Sequence, residues 1–304
     1  MCWPKPARAI ALLLWVWGAA LQAAEPLCAP LRRAAPLAPA AFEHGHGLLW
    51  RISGAPAGAS YVFGTMHIAD PRALKVADAV QTPLSASAVL ALEVILDDAA
   101  SRTLSRAMFY GDGRRLSQLV DAASFASIAR HLADYGVPAA HAEVMKPWAA
   151  FTTLSMPVGA SGAPLDIQLM NTARQAGQQV QGLETVDEQL AVFESLSEAE
   201  QISMLREVDC HYATFQQELD ALVEAYVARD LAALVAQATR YESAEKGDFL
   251  DKLLWQRNVR MAARMAPLLA AGHAFIAIGA LHLPGERGVL HLLETQGYQL
   301  EAVY

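Results

Sequence analysis

The sequence predicts an α/β fold: a central mixed sheet built from the N- and C-terminal parts of the chain, with a large helical insertion between them. Three observations predict it. Apolar stretches of strand-like composition occur early, at 48–52, 60–63 and 88–95, and again late, at 274–278 and 299–303. Between them, residues 101–241 carry mainly helical periodicity. The chain of 304 residues is 54% hydrophobic and only 18% charged, enough apolar material to bury a core and too little charge for general disorder.

The elements follow in order. Residues 1–24 read as a secretory signal peptide: Lys5 and Arg8 supply the positive start, 10–21 the apolar stretch, and Ala23 or Ala24 a small residue for cleavage. The apolar stretch is shorter than the roughly 20 residues that a bilayer requires. Cleavage is therefore expected, with a periplasmic or secreted destination and no stable membrane insertion afterwards. Cleavage would leave Cys28 and Cys210, an even pair whose bonding the sequence leaves open. Residues 25–46, rich in Ala and Pro, are expected to form a flexible leader, and 47–304 the folded domain, with 101–241 as insertion or lid. The small-residue turn at 54–60 joins the first two strands into a hairpin. A helix is expected over 72–84, and the middle block breaks at 136–138, where Gly and Pro fall. A connection at 156–164 leads to a helix over 165–176 and a short strand over 179–183. Thr185 and Glu188 have the spacing of a capping box, so a helix starts there. A long helical tract spans 198–241, a further helix 248–269 ends before Gly272, and a last helix lies over 286–296.

Net charge is −8, with 31 acidic against 23 basic residues. Nucleic-acid binding needs a concentrated Lys/Arg surface, so that class is excluded. Two strands run into the same pattern: Gly64-Thr65-Met66-His67 and Gly279-Ala280-Leu281-His282. Glycine permits a sharp turn or close backbone approach, and a histidine beyond a strand end stands where α/β folds place ligands. A third Gly-x-x-His, ending at His291, falls inside a predicted helix and is set aside as chance. Glu93 interrupts an otherwise apolar strand, where a carboxylate needs a cation, a proton or a strand end that reaches water or an arginine. Glu184 follows a strand and precedes a helix N-terminus, which by itself favours negative charge. Arg257 falls within the apolar stripe of Leu250, Leu254, Met261, Met265 and Leu268; it either snorkels or meets an anionic partner. Asn258 is beside it. Two imidazoles and a carboxylate suit a borderline divalent ion such as zinc or manganese, with a second carboxylate as base. The chain lacks His-Glu-x-x-His, Gly-x-Ser-x-Gly, a P-loop and the dinucleotide-binding glycine fingerprint.

From about residue 47 onward the chain resembles the TraB/GumN family, whose animal relatives include the Tiki proteins. The matching pieces are Leu49-Trp50-Arg51-Ile52, the run from Tyr61 through Gly64 and His67 to Pro71, and Leu90-Ala91-Leu92-Glu93. They continue with Gly182-Leu183-Glu184-Thr185, Arg257-Asn258, and Gly279 through His282 to Gly285. The resemblance implies an α/β fold of the erythromycin-esterase and ChaN-like type. It also implies a site formed by the paired Gly-x-x-His motifs and a glutamate, and a divalent-metal-dependent hydrolase acting on peptides or proteins. On that basis His67, Glu93 and His282 are the expected metal ligands, for manganese, cobalt or zinc. Glu184, Arg257 and Asn258 are the expected catalytic or positioning groups. The rival expectation is a non-catalytic periplasmic protein that captures haem, metal or peptide.

Overall fold

The computed structural model describes residues 28–35, 42–159, 162–242 and 249–304. The segment expected to be a signal peptide, 1–24, lies outside the described residues. The strands among them are β1 (Arg32–Arg33), β2 (Leu49–Ser53), β3 (Ser60–Thr65), β4 (Val89–Leu92), β5 (Gln179–Gly182), β6 (Tyr241–Glu242), β7 (Ala274–Gly279) and β8 (Gln299–Ala302). Six form one mixed sheet in the order β5-β4-β7-β3-β2-β8. The first four in that order run parallel, and β2 is antiparallel to both of its neighbours. The α/β expectation holds, with one sheet woven from strands at both ends of the chain and from β5, which lies inside the stretch expected as the helical insertion.

The central strands explain themselves chemically. β4 is Val-Leu-Ala-Leu and β7 is Ala-Phe-Ile-Ala-Ile-Gly, and every position in both is buried. Continuous apolar runs suit parallel strands covered on both faces. β7 inserts between β3 and β4, although it comes some two hundred positions later in the chain. This insertion sets the four parallel strand ends side by side.

The sheet shares a core with the helices Ala77–Ser85, Leu165–Gln175, Gln256–Ala271 and Val289–Thr295, through Val80, Leu84, Leu169, Met261, Met265 and Leu290 among others. A second apolar cluster lies in the helical block. There Trp148, Leu154 and Ile128 pack against Leu190 and Leu205. Among the described residues no helix is long and apolar enough to cross a membrane.

Several boundaries differ from those expected. The helix over 72–84 is two helices, Pro71–Leu74 and Ala77–Ser85, the first opened by Pro71 with Asp70 capping the Arg72 N–H. The tract over 198–241 divides into Glu198–Cys210, Tyr212–Val227 and Leu231–Ala238, then β6. His211 leaves helical geometry, and Arg229 has φ +61° just before Asp230 caps the next helix. Periodicity alone passes through such breaks because each fragment keeps an apolar face. The strand expected over 88–95 stops at Leu92, so Glu93 lies beyond its end rather than within it. The helix expected over 286–296 shortens to Val289–Thr295. Residues 28–35, expected to be loose, are tied at two points: Cys28 is disulfide-bonded to Cys210, and β1 pairs with β6.

Candidate metal centre

Each parallel strand delivers one predicted site residue past its C-terminal end. Along the sheet these are Glu184 after β5, Glu93 after β4, His282 after β7 and His67 after β3. Open parallel sheets bind ligands beyond the carboxyl ends of their strands. The four residues are distant in sequence, and strand order alone makes them neighbours.

Glu93 is the centre of the arrangement. Its Oε1 lies 3.6 Å from His67 Nε2 and 3.6 Å from His282 Nε2. These separations are too long for hydrogen bonds. Oε1 also accepts the Gly279 N–H at 2.5 Å. Space at Gly279 is tight: an added Cβ would stand 3.1 Å from Glu93 Oε1 and 3.3 Å from His67 Nε2, so those side chains would have to give by a few tenths of an ångström.

Both imidazoles are tied from behind. His67 Nδ1 is 2.8 Å from Asp166 Oδ2, and Thr65 donates to the other Asp166 oxygen at 2.6 Å. His282 Nδ1 is 2.6 Å from Asn258 Oδ1, whose amide donates in turn to the Arg287 carbonyl. An amide oxygen only accepts, so Nδ1 of His282 carries the proton and Nε2 of the neutral ring offers a lone pair.

Arg257 closes the other side. Its Nη2 donates to Glu93 Oε2 at 2.6 Å and to Glu184 Oε2 at 2.7 Å, and its Nε donates to Glu184 at 2.9 Å. Nη1 donates to the Leu253 carbonyl at 3.0 Å and faces His282 Nε2 at 3.4 Å. The five N–H groups of the guanidinium are thus all directed at protein acceptors. Glu184 has a fully buried side chain and is also held by Arg260, at 2.5 Å. A buried pair of carboxylates is stable here because two guanidiniums balance it. Arg257 therefore points into the fold with an anionic partner and does not snorkel.

The electrostatics separate the two histidines. Burial pushes His282 down to about 4, against the charge of Glu93, so this ring is neutral near pH 7. The charge of Asp166 raises His67 well above its ordinary value against the opposing effect of desolvation, with the hydrogen bond to Asp166 and the charge of Glu93 adding to the rise. The His67 side chain is 55% exposed, whereas that of His282 is 4% exposed. Burial alone would raise Glu93, but the surrounding positive charge holds it well below the usual carboxylate range. His282 contributes to this only when protonated, so near neutral pH the cations acting on Glu93 are His67 and Arg257.

The donor set is two imidazole nitrogens and one ionised carboxylate oxygen, with both far nitrogens already oriented. Those donors fit a zinc-, manganese- or cobalt-type ion. The rings are not closed around Glu93: among the described residues, the group whose donor atoms all lie within 4.8 Å of one another is Glu43, His291 and Glu294. Of the two rings, that of His67 is the one solvent reaches.

Sequence reasoning missed Asp166, Arg260 and Thr65. Asp166 is in the first turn of Leu165–Gln175, where an acid reads as a complement to the helix dipole. Nothing local links it to a histidine 99 positions away. Arg260 and Arg264 did carry a signal, since they continue Arg257 at helical spacing on Gln256–Ala271. Arg260 pairs with Glu184, and Arg264 with Glu188.

A family model described as TraB/PrgY/gumN matches residues 48–302. Among curated proteins the chain is similar to a metalloprotease TIKI homolog from Amphimedon queenslandica, 24% identical over 310 residues. That alignment covers 83% of this chain and 60% of the relative, so the chain spans less than two thirds of the relative's length. No solved structure matches the chain.

Proposed function

Because the chain belongs to the TraB/PrgY/gumN family, we propose that it is an exported, divalent-metal-dependent hydrolase of peptide bonds. One observation carries the reading: two imidazole Nε2 atoms, each oriented through its Nδ1, face a single carboxylate oxygen at 3.6 Å. The distant likeness to a metalloprotease supports the reaction class. Export is supported by the N-terminal signal pattern and by a disulfide between Cys28 and Cys210, a bond that persists in oxidising compartments.

His67, Glu93 and His282 would hold the ion. Bound there, it would acidify a water and polarise a peptide carbonyl. The remaining groups serve the ligands. Asp166 fixes the His67 ring by accepting from Nδ1, and the ion would take the place of the Nε2 proton of the charged ring. Asn258 fixes His282 by accepting from its Nδ1, which leaves Nε2 of that neutral ring free. Arg257 engages Oε2 of Glu93 and leaves Oε1 toward the histidines. With four of its five N–H groups held by Glu93, Glu184 and the Leu253 carbonyl, Arg257 acts as a positioning residue rather than a contact to the substrate carbonyl. Glu184, buried and engaged by Arg257 and Arg260, anchors those guanidiniums; it has no exposed oxygen to take a proton from water.

The test is metal content by mass spectrometry, together with peptide cleavage, on the mature protein and on folded His67→Ala and His282→Ala variants. The expected result is a divalent ion bound at this centre in the parent, lost from it in both variants along with cleavage. A parent that takes up no manganese, cobalt or zinc here after reconstitution would overturn the hydrolase reading and move haem or peptide capture ahead.

A further inference from the structure

We propose that Glu43, His291 and Glu294 form a second divalent-cation site of the zinc class, separate from the centre at His67, Glu93 and His282. His291 ends the Gly-x-x-His motif that sequence reading set aside as chance. In the fold its Nδ1 lies 2.6 Å from Glu43 Oε2. One donor atom from each of Glu43, His291 and Glu294 falls within 4.8 Å of the others.

Glu43 and Glu294 are exposed and His291 is half-buried, so an ion would reach these donors directly from solvent. Among the described residues, the ion pairs of Glu43 and Glu294 are with His291 and His44, not with a lysine or arginine. Two carboxylates balance one divalent charge, and an imidazole completes a donor set that zinc accepts.

The donors are also held in place. His291 and Glu294 are three positions apart on the helix Val289–Thr295 and so share one side of it. The Glu43 carbonyl accepts the Gly285 N–H at 3.0 Å, which fastens its segment to the turn before that helix. His44 Nε2 donates to Glu294 Oε2 at 3.0 Å and orients it. His44 itself has φ +56°, in the left-handed region, and its ring stands edge-on to Trp50 at 4.9 Å. An ion here would staple the segment entering β2 to the helix that precedes β8.

Zinc alone is the probe. Metal-free protein is brought to equilibrium with zinc by dialysis, and bound zinc per chain is measured by mass spectrometry, alongside the melting temperature with and without zinc. The expected result is that His67→Ala/His282→Ala retains one zinc and that adding His291→Ala abolishes it. Equal zinc in those two proteins, or none in the first, would overturn the site. Should the doubly substituted background not fold, the comparison is the parent against His291→Ala and Glu43→Gln/Glu294→Gln. Loss of one zinc and of the zinc-induced rise in melting temperature supports the proposal, and an unchanged count and rise refutes it. The two sites fail independently: one zinc in the parent that His291→Ala removes, and that His67→Ala/His282→Ala leaves, would sink the hydrolase centre and keep this one.

Discussion

Asp166 fixes the orientation of one histidine of the candidate centre. It accepts from His67 Nδ1 at 2.8 Å and is itself steadied by Thr65. An oriented imidazole offers Nε2 in one direction, and a free one samples many. Replacing an outer partner of a ligating histidine typically costs about 10–100-fold in metal affinity. Asp166→Ala is therefore expected to weaken metal binding by that factor while leaving a folded protein, measured by metal titration and circular dichroism. Parent-like affinity in a folded variant would show that the pairing is incidental. His67, Glu93, His282 and Arg257 were all legible in the sequence, because an apolar strand ending in Gly-x-x-His and a charge inside an apolar stripe are local anomalies. Asp166 was not, since an acid in a first helical turn is locally ordinary.

At the scale of elements, the helices Val186–Glu194 and Gln256–Ala271 are laced together by charge. Glu188 closes the capping box with Thr185 and accepts from Arg264 at 2.6 and 2.8 Å. Hydrogen bonds from Arg264 are the main cause that lowers Glu188 to about 2; burial opposes them, and the Thr185 N–H and the charges of Arg264 and Arg260 add to the lowering. A folded value below the unfolded one means that the unfolded chain binds more protons. This contribution is present above about pH 4.5 and is lost as pH falls toward about 2. The pair is partly exposed, so salt weakens it. Arg264→Gln is expected to flatten the acid limb of melting temperature against pH at low ionic strength. An acid limb as steep as the parent's would remove the pair from the explanation. The capping box was readable from Thr185 and Glu188 alone because its contacts span three residues. The breaks near His211 and Arg229 were not, because each flanking helix keeps its own apolar face.

For the whole molecule, the disulfide joins positions 182 apart and fastens the segment before the domain to the end of the helix Glu198–Cys210. Closing so long a loop restricts the unfolded chain, and losing such a bond typically costs about 2–5 kcal/mol. Cys28→Ser/Cys210→Ser is expected to unfold at correspondingly lower denaturant. Coincident unfolding curves would show that the bond carries no stability.

The sequence by itself determined the fold class, the six strands of the main sheet, the capped helix and most of the residues at the sheet's edge. These follow from local chemistry: apolar runs, turn residues and misplaced charges. Only the tertiary structure decided that β7 enters between β3 and β4, and hence that Glu184, Glu93, His282 and His67 stand in that order. It alone directed Arg257 inward onto two carboxylates and brought Glu43 to His291, a histidine that its own helix left unremarkable. The physical reason is common to all of these. Strand order and ion pairing depend on which distant surfaces bury one another, and no short window of residues contains that information.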